Sequence, residues 1–242
     1  MSRPIEITYK FHLPDGRDRV HLVQLRRETL ALEPDPAEPP AWTALDQNKC
    51  RNCTLEARTT PFCPPARAVA AVADHFKDAP SHTVTRTEVI TEDRTYGKQC
   101  SLAEALGSLF GLVMATSGCP QLDFLRPMAR FHLPFASVEE TIVRATSFHL
   151  LRQYHRAKRG WPESLGLEVL AERYHDVTAV NQGLAQRIRA IGGKDSGRNA
   201  VVALDVFAKM LQMELRDELP ILDELFPDDD RPATSSGYLP VA

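Results

Sequence analysis

Apolar residues follow two different periods in this chain of 242 residues. In the first 25 residues they alternate with polar residues on both sides of a Pro-Asp-Gly turn at 14–16. This alternation predicts a β-hairpin with one buried face. From residue 101 onward the apolar residues recur at steps of three and four, which is the spacing of a helix face. We therefore predict an α+β protein with a small N-terminal antiparallel β-sheet, a cysteine-rich loop and a C-terminal helical bundle around a buried central helix.

Two capping boxes predict where helices begin in the C-terminal part. Ser101 is followed by Glu104, and Ser137 by Glu140. In each box the serine accepts a hydrogen bond from the third helical amide and the glutamate binds the serine amide. The helix after Ser101 is apolar nearly all round, so it is the predicted central helix. The predicted helices cover 102–117, 138 to about 159, 164–191, and a fourth whose apolar stripe runs from 201 to 215.

The N-terminal part contains no long helical pattern. A segment at 29–32 could add a third strand, and the proline-rich run at 33–40 indicates a linker. We predict a single domain over residues 1–226 and a disordered tail over 227–242, because the tail has little to bury. Its predicted parts are a hairpin or meander with linker at 1–40, a cysteine loop, a short helix (66–77) and a strand (82–96) at 41–100, and a helical part at 101–226.

Composition excludes several classes of protein. Hydrophobic residues make up 43% of the chain, which suffices for a core. The formal net charge of −3 gives no overall cationic field, so nucleic-acid binding is not expected. The N-terminus has charge and proline where a signal peptide is apolar, and no apolar run is long enough to span a membrane. We therefore expect a cytoplasmic protein without membrane contact.

Four of the five cysteines have a spacing that suggests a metal site. Cys50 and Cys53 form a C-x2-C pair, while Cys63 and Cys119 each precede a proline. A soft divalent metal prefers thiolates, and four sulfurs would complete a tetrahedron. The predicted cofactor is zinc, with an iron–sulfur cluster as the alternative. Cys100 has no comparable neighbour and is predicted to stay apart.

Other interpretations of these cysteines remain open. The odd number of cysteines argues against a disulfide framework. The cysteines could also be small buried hydrophobic residues that bind nothing. His75 or His132 could replace the fourth sulfur, although Cys119 is the preferred fourth ligand.

The segment between the predicted central helix and the predicted helix that begins after Ser137 is an unusual connector. It carries Arg126, Arg130 and His132 among apolar residues. Guanidinium groups match the paired oxygens of a phosphate or carboxylate, and a histidine can act as acid or base, so these three residues are a candidate ligand-binding site. The alternative is a turn of helix whose arginines pair with acids elsewhere in the fold.

Charge is unevenly distributed along the second half. Residues 126–159 contain seven basic and two acidic side chains, whereas 205–230 contain nine acidic and two basic ones. These segments either face one another or are solvated helix surfaces. A protein partner that binds the acidic C-terminal region is the other interpretation; the oligomeric state is left open.

Short catalytic motifs are missing. Glycines at 192, 193 and 197 have the spacing of a phosphate-binding loop, but Arg198-Asn199 stands where that loop needs Lys-Ser or Lys-Thr. No dinucleotide fingerprint, H-E-x-x-H or G-x-S-x-G occurs. The sequence supports no known hydrolase motif.

Four segments carry a family resemblance: Cys50-x2-Cys53, Cys63-Pro64, MATSGCP at 114–120 and RPMARFHLPF at 126–135. In these the chain resembles a family of uncharacterised bacterial proteins, a domain of unknown function, from the opening hairpin to the fourth helix. The resemblance implies a bacterial cytosolic setting and no particular activity, and Cys100 departs from it. We expect a metal-binding interaction or regulatory module; the alternative is an iron–sulfur protein or an enzyme with an anion or ligand site in the connector between Cys119 and His132.

Overall fold

The computed structural model describes residues 2–191, 195–217 and 219–226. Its four strands form one antiparallel sheet in the order β2-β1-β3-β4. The strands are β1 (Ile5–His12), β2 (Asp18–Leu25), β3 (Val84–Ile90) and β4 (Thr95–Ser101). The helices are α1 (Pro64–His75), α2 (Leu102–Thr116), α3 (Arg126–Arg130), α4 (Val138–Ala157), α5 (Glu168–Ile191), α6 (Ser196–Arg216) and α7 (Ile221–Leu225), with short 3-10 turns at Ala41–Thr43 and Asp123–Leu125.

One face of the sheet is buried against the helices. Every second residue of β1 from Ile5 to Phe11 is buried, as the alternation predicts. Phe11 contacts Phe76, which follows α1, with ring centroids 4.8 Å apart in an edge-on arrangement. The buried residues of the sheet and of the helices belong to one continuous hydrophobic core.

Helix α2 is the centre of that core. Eleven of its 15 residues are buried, so the prediction of a buried central helix is confirmed. The Ser101 hydroxyl accepts from the Glu104 amide at 3.2 Å, and the Ser137 box is complete in both directions. Helices α5 and α6 pack side by side, and α6 packs along α2.

The structure corrects several predicted boundaries. The predicted strand at 82–96 is a hairpin of β3 and β4, because the Thr91 amide donates to the Arg94 carbonyl at 2.9 Å and closes a turn without glycine or proline. The predicted strand at 29–32 is a single bridge between Leu25 and Leu32. α1 begins two residues earlier than predicted, since Pro64 and Pro65 suit the first helical positions. α5 begins at Glu168 instead of 164.

The α+β prediction is confirmed. Gly192 and Gly193, which follow the predicted helix at 164–191, and the predicted disordered tail at 227–242 lie outside the described residues. None of the described helices is both long and apolar enough to cross a membrane.

Candidate metal centre

Four cysteines from three separate segments line one small cavity. Cys50, Cys53, Cys63 and Cys119 surround a space of about 20 Å³, here called the cysteine cavity. A space of this size has room for about one water-sized sphere. Cys100 lies on β4 beside Lys98 and Glu104 and does not line this cavity. All five cysteines, each within the described residues, are free thiols.

Side-chain amides hold the three segments together. The Gln121 amide, two residues after Cys119, donates to the carbonyl of Asn52 at 2.8 Å. Asn52 itself lies between Cys50 and Cys53, and its amide donates to the carbonyl and carboxylate oxygens of Asp176 at 3.1 and 3.0 Å. The C-x2-C turn is therefore fixed both to α5 and to the segment that carries Cys119.

Backbone amides act on two of the cysteines. Cys63 is the N-cap residue of α1, and the Ala66 amide lowers its pKa against the burial that raises it. The amides of Gln121 and Leu122 likewise lower the pKa of Cys119 against its burial. Gly118, with φ of +90°, ends α2 and turns the chain into this position. Amide donors of this kind stabilise negative charge on sulfur, which suits metal-bound thiolates.

Helix α5 contacts the C-x2-C turn at Gly183. A Cβ atom built on Gly183 would lie 2.7 Å from the Cys50 sulfur, closer than real contacts allow. Only glycine lets α5 approach the Cys50 side chain this closely.

We expect Gly183→Ala to lower the free energy of unfolding by about 1 kcal/mol, because the overlap with Cys50 outweighs the helix propensity gained. Gly107→Ala on α2 is the matched control, since its new Cβ would meet only the Ala200 carbonyl oxygen at 3.6 Å. The control should gain about 0.5–1 kcal/mol. Urea unfolding measures both; equal gains in the two variants would contradict the close contact.

Arg187 lies one helical turn after Gly183, on the same face of α5. It is the largest fully buried side chain of the described residues, with 1% of its surface exposed. Its guanidinium donates to the carbonyls of Trp42, Ala44 and Leu45 at 3.1, 2.6 and 2.8 Å. In the described part of the chain no carboxylate pairs with it and its Nε has no hydrogen-bond partner.

The electrostatics of the cavity reflect the proximity of these groups. Burial raises the pKa values of Cys50 and Cys119 to about 11, and that of Cys63 also rises. Neighbouring cysteines raise the pKa of Cys50 further, whereas the Arg187 charge lowers it. Without a metal these thiols stay protonated at neutral pH, so metal binding has to displace their protons.

The cavity has suitable ligand types without a preformed coordination geometry. Over residues 2–191, 195–217 and 219–226, no three His, Cys, Asp or Glu side chains are arranged to hold a metal ion. The two histidines considered as alternative ligands do not line the cysteine cavity. His75 ends α1, where its carbonyl accepts from Arg19, and His132 binds Tyr9.

The three residues of the connector bind three different partners. Arg126 pairs with Asp123, and Arg130 pairs with Glu92 at 3.2 Å. The Nε2 atom of His132 is 2.6 Å from the Tyr9 hydroxyl. Arg130 and His132 line one cavity of about 90 Å³, whereas Arg126 does not line it. Anion binding by this set stays a prediction.

His132 belongs to a short polar chain at the sheet–helix boundary. The Tyr9 hydroxyl is 2.9 Å from the Ser108 hydroxyl on α2 and also contacts His132. Burial, helped by the nearby Arg144 charge, lowers the pKa of His132 to about 3. His132 is therefore neutral in the folded protein at neutral pH.

This shift predicts an acid-dependent loss of stability. Below pH 6.5 the unfolded protein binds a proton at His132 and the folded protein does not. The free energy of unfolding is therefore highest above pH 6.5 with respect to this group, and it decreases as the pH falls toward 3. Between pH 7 and pH 5 wild type should lose about 1.5–2 kcal/mol more than His132→Asn. Urea unfolding at both pH values measures this difference, and parallel losses would show that the folded protein accepts the proton.

Sequence reasoning missed Gly183 and Arg187. The available signal was a glycine and an arginine one turn apart, each followed by an apolar residue, Leu184 and Ile188, at the spacing of one helix face. Both residues act through contacts with segments more than 130 positions away, which no local pattern reveals.

Comparisons with known proteins identify a family for the chain but no activity. A search of curated proteins and a search of solved structures each gave no match. A family model described as a domain of unknown function (DUF6901) matches residues 7–227. Because the match spans most of the chain, this protein belongs to the DUF6901 family of domains of unknown function.

Proposed function

We propose that Cys50, Cys53, Cys63 and Cys119 bind one structural metal ion, zinc in first place, within an interaction or regulatory module. The observation that carries this proposal is a buried arginine without a carboxylate partner among the described residues, beside four cysteines that share one cavity. The Arg187 charge lowers the pKa values of Cys50 and Cys63 against the burial that raises them, which supports its proximity to these cysteines.

Charge balance connects the arginine to the thiols. A divalent ion with four thiolates carries a net charge of −2. Burying such a group requires compensation, which a buried guanidinium and backbone amides supply. Arg187 contributes the positive charge, and the amides at Cys63 and Cys119 contribute partial charges.

Coordination requires only side-chain rotation in this proposal. The backbone of each cysteine segment is already fixed by hydrogen bonds, including that from the Cys53 amide to the Cys50 carbonyl at 3.0 Å. Each sulfur turns on a single Cα–Cβ bond with three staggered positions, and the proposal requires a set of these positions that brings the four sulfurs within about 4 Å of one another.

The size of the cavity favours a single ion over an iron–sulfur cluster. A space of about 20 Å³ takes one ion, whereas a cluster adds several iron and sulfide atoms. Four protein ligands leave no open coordination position, which is the arrangement of structural sites. Reduced cysteines suit the cytoplasm as the proposed location, and the acidic region from Asp205 onward remains the proposed surface for a protein partner.

The test is metal analysis of protein purified without oxygen, together with its absorbance spectrum. We expect one zinc ion per chain and no visible colour. Cys50→Ala and Cys119→Ala should lose the metal, whereas Cys100→Ala, a buried cysteine away from the cavity, should retain it.

Two results would contradict the proposal. A brown protein that contains several equivalents of iron and sulfide would show that the cysteines bind an iron–sulfur cluster and not zinc. Full-length folded protein without any bound metal, and without uptake from added Zn²⁺, would leave the four cysteines as small hydrophobic residues.

A further inference from the structure

A second, much larger cavity lies among the helices. It has a volume of about 790 Å³ and is bordered by α2, α4, α5, α6 and the connector, and is here called the helical cavity. Small-molecule sites commonly have volumes of about 300–1,000 Å³ and mainly apolar walls. Its walls include Leu112, Met114, Leu122, Met128, Val177 and Phe207.

One buried polar group on the wall lacks a partner. Asn181 on α5 is 2% exposed, and its Nδ2 has no hydrogen-bond partner among the described residues. An unsatisfied buried amide is costly, so a ligand oxygen at this position would offset that cost. Asn181 thus provides a hydrogen-bond donor in the wall of the helical cavity.

A cation without a counter-ion faces the same cavity. One nitrogen of Arg144 on α4 donates to the carbonyls of Met128 and Phe131 at 3.4 and 2.9 Å. None of the ion pairs among the described residues includes Arg144. Glu140, one turn earlier, accepts from the Ser137 amide at 2.7 Å, and its charge raises the pKa of Arg144 against the burial that lowers it, without a direct ion pair between the two.

The remaining charged groups on the rim are occupied. Lys98 and Glu104 pair with each other at 2.7 Å. The Tyr174 side chain is buried next to Arg144, whose charge lowers its pKa against the burial that raises it. His132 is neutral, so Arg144 is the positive charge that remains available to a ligand.

We propose that the helical cavity binds an amphipathic carboxylate: a linear aliphatic chain with its carboxylate at Arg144 and Tyr174 and a second oxygen acceptor at Asn181. A guanidinium and a phenol can both donate hydrogen bonds to the two oxygens of a carboxylate, and those from the guanidinium are strengthened by charge. Tyr174 and Asn181 lie two helical turns apart on α5, roughly 10 Å by the helix rise, which sets the separation of the two ligand oxygens. This site is separate from the cysteine cavity and does not depend on the metal.

Titration calorimetry of the full chain with decanoate, 1-decanol and 10-hydroxydecanoate tests the proposal. Decanoate should bind one per chain, and 1-decanol about 10-fold more weakly or worse, because it lacks the charge. Arg144→Gln should weaken decanoate binding about 10- to 100-fold. Arg152→Gln is the matched control, since it removes the same charge from an exposed position of α4 and should leave binding unchanged.

Asn181→Leu keeps the test informative if Arg144→Gln does not fold. Wild type should bind 10-hydroxydecanoate several-fold more tightly than decanoate, and the leucine variant should bind the two equally. The proposal is overturned if 1-decanol binds as well as decanoate, if Arg152→Gln weakens binding as much as Arg144→Gln, or if the hydroxyl gives wild type no advantage.

Discussion

Arg187→Met is expected to lower the free energy of unfolding by about 3–5 kcal/mol, because three carbonyls in the protein interior lose a charged hydrogen-bond donor. The methionine fills a similar length, so the loss reflects the lost hydrogen bonds more than a cavity. Urea unfolding followed by circular dichroism measures it.

Arg189→Met is the matched control for this change. Arg189 is two residues further along α5 and exposed, so its replacement should change stability by less than about 0.5 kcal/mol. Similar small losses in both variants would mean that the guanidinium of Arg187 contributes nothing to the fold. In the proposed account, Arg187→Met also weakens metal binding, whereas Arg189→Met does not.

Leu184→Ala should lower the free energy of unfolding by about 2–5 kcal/mol, since Leu184 is 2% exposed in the core face of α5. Truncation removes buried methyl groups and leaves a cavity that a close-packed helix pair fills only in part. Denaturant unfolding provides the measurement.

Leu165→Ala is the same substitution at a side chain that is 71% exposed, and it should have little effect. If Leu184→Ala lowers the free energy of unfolding by less than about 0.5 kcal/mol, the face of α5 assigned to the core is the wrong one.

Sequence periodicity predicted the elements whose signals are local. The buried positions of β1 follow strict alternation, and both capping serines begin helices because a serine and an amide three residues later need no distant partner. The β3–β4 hairpin was missed because its turn is stabilised by Thr91 and Arg94 and contains no glycine or proline. On α5, the residues at steps of three and four are buried from Leu170 to Ile188, but Ile191 at the end of this face is exposed; the buried residues are Leu170, Tyr174, Val177, Asn181, Leu184 and Ile188.

The candidate sites show the same division between local and distant signals. The spacing of the cysteines in the sequence identified the four that line one cavity. The role of Arg187 became visible only in the structure, through its hydrogen bonds to the carbonyls of residues 42, 44 and 45. In the connector, neighbouring residues have separate partners, because Arg130 pairs with Glu92 of the β3–β4 turn and His132 binds Tyr9 of β1. The available cation in the helical cavity is Arg144, whose surroundings depend on how α4 packs.

The most direct test of the central claim is X-ray absorption spectroscopy of the metal bound to the full chain. The account predicts zinc with four sulfur neighbours at about 2.3 Å and no nitrogen or oxygen ligand. Cys63→Ser should reduce the number of sulfur neighbours by one, and Cys100→Ser should leave the spectrum unchanged. A shell of nitrogen and oxygen atoms, or an identical spectrum for Cys63→Ser and wild type, would contradict a four-cysteine metal centre.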